Sequence, residues 1–257
     1  MGMAFAKSFL QYDLVKRENL LLVEKNAERG EALRNYNTGI VTGVIDASLG
    51  SYDLLILAVK PQDFGVAHPL LREVIQPGQI VLSIMAGISI ELLQQTLNHP
   101  LIIRAMPNTP ALLGMGMTAF AAAPGIDVSQ LHKVENLINA TGRSVFLEEE
   151  QLLDAVTALS GSGPAYFFYM VKAMIEAGKQ MGFEESLATL LVKQTMLGSF
   201  HLINNAEKSL DELINAVTSK GGTTEAALKQ FVQGGLTETL IQGIRAAEKR
   251  AQELSKA

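Results

Sequence analysis

Four short apolar runs alternate with helical patterns in the first part of this chain. "LLLVE" (20–24), "DLLILAV" (53–59), "IVLSIM" (80–85) and "LIIRA" (101–105) are the runs. Helical periodicity fills 3–12, 26–36, 63–75 and 89–97 between and around them. A short apolar run bounded by Pro, Gly or Asn reads as a strand covered on both faces, the condition of strands in parallel sheets. Strand alternating with helix predicts a doubly wound α/β domain. "MTAFAAA" (117–123) and "SVFL" (144–147) read as later, shorter strands, with a helix near 128–141 between them.

The pattern changes after Glu148-Glu149-Glu150. Helical periodicity alone continues through 151–158, 164–182, 184–205, 209–216, 223–233 and 236–255, with breaks at Gly182 and Gly234-Gly235. An α/β domain over 1–148 followed by an all-helical domain over 149–257 is therefore expected. The acidic triplet reads as a solvated connection, and no metal site is expected. Hydrophobic residues make up 48% of the chain and charged residues 18%, enough to bury a core. A net charge of −5 with no basic block argues against nucleic acid or an anionic membrane as partner. There is no Cys, so disulfide, thiolate and Cys-metal chemistry are excluded. No run reaches the roughly 18 apolar residues of a membrane helix. Lys7 interrupts the one candidate signal-peptide core, and Ala6 stands where a myristoylation signal needs Ser or Thr.

The opening "MGMAFAKSFL" reads as the first turns of a helix. A dinucleotide-binding fold puts the last Gly of G-x-G-x-x-G at the start of its first helix, and an acid about 20 residues on closes strand two. Gly2 opens a helix here, and Glu24 closes the next strand 22 positions later. On that reading strand one and the first two glycines are absent from the sequence. The alternative is an ordinary amphipathic helix starting at Met1.

Four later motifs carry more. "AVKPQ" (58–62) leaves a buried strand at the end where doubly wound sheets bind ligands; a solvated strand exit explains it equally. "MPNTP" (106–110) holds Asn108 and Thr109 between two prolines, either as presented side chains or as a stiff turn. "SGSGPAYFFYMVKAM" (160–174) places small residues before a Pro at a helix N1 position, and tight helix packing explains most of it. "TSKGGTTEAAL" (218–228) leads a Gly-rich loop into a helix, a ready anion site with Lys220 adding charge. It also reads as a plain capping box, with Thr as N-cap and Glu225 early in the helix.

Taken together, "AVKPQ", "RAMPNTP", "ALSGSGPAYFF" and "VTSKGGTTEAAL" resemble, in order and spacing, the pyrroline-5-carboxylate reductases over essentially the whole chain. Lys220 departs from the Pro usual in that family. Met1-Gly2 match the last two letters of the family's Gly-Asn-Met-Gly loop. The resemblance implies an N-terminal Rossmann-type domain, its first strand missing here, followed by an all-helical dimerisation domain. It implies hydride transfer from NADPH or NADH to the C=N carbon of a five-membered cyclic imine acid, giving proline, in a cytoplasmic enzyme. It implies a homodimer, assembled further into rings in some relatives, with neither nucleic acid nor membrane as partner. Met1, Gly2, Glu24, Lys25, Ala58, Val59, Lys60, Pro61, Gly87 and Asn108 are then expected at the cofactor, with Asn108 beside the nicotinamide end. Gly221, Gly222 and Thr223 are expected to offer N–H groups to the substrate carboxylate, with Ser219 and Lys220 alongside. Thr224 is the expected catalytic residue, facing the ring nitrogen.

Glu24 favours NADH by binding both ribose hydroxyls, whereas Lys25 is positioned to pair with a 2′-phosphate. The four histidines, His68, His99, His132 and His201, stand singly and are expected to be structural or exposed. Two other functions fit parts of the chain. A hydroxyacid-dehydrogenase-like reductase needs a catalytic Lys early in the helical domain, with Lys172 and Lys179 as candidates. A structural dimer, impaired in cofactor binding by its short N-terminus, is the second.

Overall fold

The computed structural model describes residues 1–255. They form two compact units: residues 1–162 together with 247–255, and residues 163–246.

The first unit begins with α1 (Gly2–Gln11), β1 (Leu21–Val23), α2 (Ala27–Asn35) and β2 (Ile40–Thr42). It continues with β3 (Leu54–Leu57), α3 (Pro61–Val74), β4 (Ile80–Ser83), α4 (Ile90–Leu97) and β5 (Ile102–Met106). β6 (Gly116–Ala122), α5 (Val128–Asn139), β7 (Gly142–Phe146) and α6 (Leu152–Val156) follow. β1 and β2 pair in parallel, while β3 to β7 make a second sheet in sequence order. Among the described residues, the other edges of β1 and β3 carry no strand.

β4 shows why these runs form strands. All four of its residues are buried, and their side chains alternate between faces. Val81 joins Leu55, Leu57 and Ile102 against Phe64, Leu71, Leu93 and Leu97 on α3 and α4. Ile80 and Leu82 join Ile103, Ala105 and Phe120 against Phe5 and Phe9 of α1 and Val134 and Ile138 of α5. The uninterrupted apolar runs are the sequence of a sheet sandwiched between two helix layers. Burying each such side chain contributes about 1.5–3 kcal/mol.

Three expectations need correction. β2 was not legible: three residues, exposed or half-buried, lack the covered faces that generate an apolar run. β6 is the longest of the strands, and it runs antiparallel to β5, so β6 and β7 point opposite to β3, β4 and β5. The acidic connection is not simply solvated. Arg104, in mid-β5, donates from Nη1 to Glu150 Oε1 (2.9 Å) and from Nη2 to Asp154 Oδ1 (3.0 Å). Glu150 also accepts from the Ile90 N–H at the start of α4 (2.8 Å), and Asp154 accepts from Ser255 Oγ (2.9 Å).

The helical reading of 151–158 also changes. α6 passes into a π turn, Thr157–Gly161, and then into α7 (Gly163–Gln180). Pro164 therefore sits inside a nearly continuous helical run and not at a free helix start. Proline lacks an N–H, and its ring excludes the carbonyl four residues back, here that of Ser160. A π turn absorbs that mismatch, with the Ser162 N–H donating five residues back to the Thr157 carbonyl (2.8 Å).

The second unit contains α7, α8 (Glu185–Asn205), α9 (Leu210–Ala216), α10 (Thr223–Gln233) and the first part of α11 (Leu236–Ser255). α7 and α8 pack closely where Gly178 faces Ala188; a Cβ on Gly178 would lie 3.0 Å from that of Ala188. Only Gly163 and Ala188 are buried in this unit, while Phe168 and Tyr169 are 68% and 75% exposed. Helices so apolar with so little covered are faces built for association.

Candidate active site

Parallel strands end at the same edge of their sheet, so the exits of β3, β4 and β5 share one rim. Residues 58–61 leave β3 there. Lys60 is the extended N-cap of α3, and Pro61 supplies the preset φ of its first residue. Ala58, Val59, Lys60 and Pro61 are all exposed at this exit. The first turn of α1 meets the same point: a Cβ on Gly2 would stand 3.0 Å from that of Ala58, a close approach that only glycine leaves slack. The exit of β1 is tied in by Lys25, whose Nζ lies 3.3 Å from Asp63 Oδ1 in the first turn of α3. Glu24 accepts the Asn26 N–H at 2.9 Å, at the start of α2.

Two of the expected residues have further engagements. Gly87 is buried with φ +72°, and a Cβ there would come within 2.9 Å of the Leu254 Cβ, so the end of α11 covers it. Asn108 is half-buried and uses both ends of its amide. Oδ1 accepts from the Met117 N–H (2.9 Å), and Nδ2 donates to Ser160 Oγ (3.1 Å).

The Gly-rich loop lies in the second unit. Gly222 is the N-cap of α10, and no side chain caps the helix, which corrects the reading of Thr as the cap. The N–H groups of Gly221 and Gly222, expected to be open to a ligand, are used inside the loop. Gly221 donates to Glu225 Oε2 (2.6 Å) and Gly222 to the Ser219 carbonyl (2.9 Å). Gly221 holds φ +75°, the left-handed turn that makes this loop possible. The first helical bond runs from the Ala226 N–H to the Gly222 carbonyl. The N–H groups of Thr223, Thr224 and Glu225 are thus the first-turn donors that an α-helix leaves without an internal acceptor. A shallow depression beside them is lined by Gly221, Gly222, Glu225, Ala226 and Lys229.

The chain is similar to known proteins along its whole length. It is 39% identical over 204 residues to a pyrroline-5-carboxylate reductase of Pseudomonas aeruginosa, covering 79% of this chain and 75% of the relative. The chain belongs to the pyrroline-5-carboxylate reductase family. Residues 150–254 match the family described as "Pyrroline-5-carboxylate reductase dimerisation", and residues 1–87 match "NADP oxidoreductase coenzyme F420-dependent". A solved pyrroline-5-carboxylate reductase from Coxiella burnetii superposes with a TM-score of 0.89 at 30% identity, over 100% of this chain and 95% of that one. The pyrroline carboxylate reductase of Plasmodium falciparum, solved with NADP bound, gives 0.87 at 25% identity, over 99% of this chain and 94% of that one.

Two of the histidines sit in structural contacts, as expected. His99 is buried, with Nε2 2.6 Å from the Gln79 carbonyl, and the ring of His68 packs on Phe64. Lys179, a candidate base for a hydroxyacid dehydrogenase, lies 3.1 Å from Glu176 and 3.8 Å from Glu185. Lys179 donates to the Glu176 carboxylate, and this hydrogen bond raises the lysine pKa above its ordinary value. Sequence reasoning missed the partners of Asn108 and the carboxylates around Arg104. An arginine inside the apolar run "LIIRA" was the available signal, because a charge in a covered strand requires a counter-charge.

Proposed function

We propose that this protein reduces 1-pyrroline-5-carboxylate to L-proline with NADPH or NADH. The observation that carries the reading is the start of α10, where an uncapped helix end presents first-turn N–H groups beside two threonine hydroxyls. A carboxylate is favoured there by the donors and by the positive end of the helix dipole. Thr223 and Thr224 supply the N–H groups, Ser219 adds a hydroxyl and Lys220 a positive charge. Gly221 and Gly222 act by shape, holding the loop through their bonds to Glu225 and Ser219. The Thr224 hydroxyl donates to the ring nitrogen, which makes the imine carbon a better hydride acceptor.

The rim of β3, β4 and β5 suits a dinucleotide, and the close seat of Gly2 on Ala58 supports it by leaving no side chain between the helix start and the strand exit. Met1, Gly2 and residues 58–61 would hold the phosphates, Glu24 and Lys25 the adenosine ribose, and Asn108 the nicotinamide end, with Gly87 shaping the rim from beneath Leu254. The bound coenzyme supplies the hydride. Lys25 is already paired with Asp63, which leaves Glu24 to decide the ribose contact and favours NADH.

Residues 1–148 are assigned to the dinucleotide-binding domain and 149–257 to substrate binding and dimerisation. The family match over 150–254 and the uncovered apolar faces of α7 and α8 support a homodimer. No helix among the described residues is long and apolar enough to cross a membrane. A cytoplasmic location belongs to the same reading and is checked by fractionation.

The test is a steady-state comparison of substrates. The purified protein is expected to oxidise NADH or NADPH with 1-pyrroline-5-carboxylate and to leave 3-hydroxy acids untouched with NAD⁺ or NADP⁺. Turnover of 3-hydroxy acids alone would transfer the chain to the dehydrogenase reading.

A further inference from the structure

The Asn108 amide has only one orientation that satisfies its neighbours. The Met117 N–H can only donate, so the amide oxygen must face it, at 2.9 Å. The amide nitrogen is then turned to Ser160 Oγ, at 3.1 Å, and the hydroxyl must accept. Both residues are half-buried, where a hydrogen bond is less exposed to competition from water.

Ser160 is itself held in an unusual place. It sits in the π turn Thr157–Gly161, which Pro164 prevents from continuing as α-helix. The next residue, Gly161, is covered by the end of β5: a Cβ there would come within 2.7 Å of Met106 Cε. The exit of β5, the start of β6 and the π turn are thereby locked together, and Asn108 is the polar link between them. The "SGSG" segment gains a role that helix packing alone does not give it.

We propose that Ser160 is a positioning residue for hydride transfer, acting through Asn108. The proposal rests on the reading that places Asn108 at the nicotinamide end. With the Ser160 hydroxyl removed, Nδ2 loses its acceptor and the amide is held at its oxygen alone, by the Met117 N–H. Small misplacements of groups that orient a reactant cost rate more than binding, up to about 100-fold for an ångström.

The experiment uses the full-length dimer with 1-pyrroline-5-carboxylate and NADH. Ser160→Ala is expected to lower kcat roughly 10-fold and to leave KM for the imine acid and the unfolding midpoint near the parent values. The primary deuterium isotope effect on kcat, measured with NADH deuterated at C4, should rise as the hydride step becomes slower. Ser160→Thr, which restores the hydroxyl, should recover most of the rate. Asn108→Ala should lose at least as much, and the double variant no more than Asn108→Ala alone. If Ser160→Ala is unstable, Ser160→Cys, which keeps the size and weakens the acceptor, reads the same loss. Parent kcat in Ser160→Ala with an impaired Asn108→Ala overturns the role of Ser160 alone. Full additivity in the double variant, or no rescue by Thr, does the same. Parent kinetics in Asn108→Ala overturn both this role and the placing of Asn108.

Discussion

Arg104 Nη2 lies 3.0 Å from Asp154 Oδ1, joining the middle of a covered strand to the helix that leads out of the first unit. The Arg104 side chain is 5% exposed, and the Asp154 and Glu150 side chains 11% and 24%. Charges so placed hold together only because each answers another. Arg104→Ala would leave two carboxylates without a cation and should cost about 3–5 kcal/mol of stability. Urea unfolding measures it. An unchanged midpoint would mean that water reaches the carboxylates and that the pairing is incidental.

Coenzyme choice should turn on Glu24. Its carboxylate stands at the β1 exit, holding the Asn26 N–H, while Lys25 is paired with Asp63. With the adenosine ribose beside Glu24 as proposed, Glu24→Ser removes a negative charge that would face the 2′-phosphate of NADPH, so the kcat/KM ratio should move toward NADPH. The change is read from parallel titrations of both coenzymes. A constant ratio would show that Glu24 serves only α2.

Thr224→Val keeps the shape of the side chain and deletes its donor. An interaction stronger in the transition state than in the ground state lowers kcat when it is removed. A loss of roughly 10- to 1,000-fold in kcat/KM is expected, the range of one well-placed donor. Ser219→Ala should mainly raise KM, because a carboxylate contact exists before and during the reaction. Since Gly222, not a threonine, is the N-cap of α10, the valine variant should also keep its melting temperature. A lower melting temperature with parent kinetics would return Thr224 to a structural role.

The second unit buries only Gly163 and Ala188. A helical unit of that kind is stable when a second copy covers its apolar faces. Sedimentation at low micromolar concentration should therefore find a mass of at least twice the 27.7 kDa chain. A stable, folded monomer at that concentration would contradict the assignment of these faces.

Much of this was legible because covered strands write themselves as apolar runs: β4, with both faces buried, was read almost to its ends. β2 was not, because its three residues are too few and too open to leave a pattern. Strand direction was also hidden, since β6 and β5 bury similar side chains whichever way they run. At the site, the Gly-rich motif located the α10 loop but not the use of its donors. That depended on Glu225 folding back onto Gly221, a contact set by side-chain conformation and not by spacing. The Asn108–Ser160 bond joins residues 52 positions apart, a pairing that only the packing of the π turn on β5 creates.

The central claim is that hydride passes from the coenzyme to the carbon of a C=N bond. The most direct measurement is the fate of deuterium when the protein reduces 1-pyrroline-5-carboxylate with NADH carrying two deuterons at C4. The account predicts proline with one deuterium, on the ring carbon that was double-bonded to nitrogen. Proline free of deuterium, or coenzyme oxidation without proline, would contradict it.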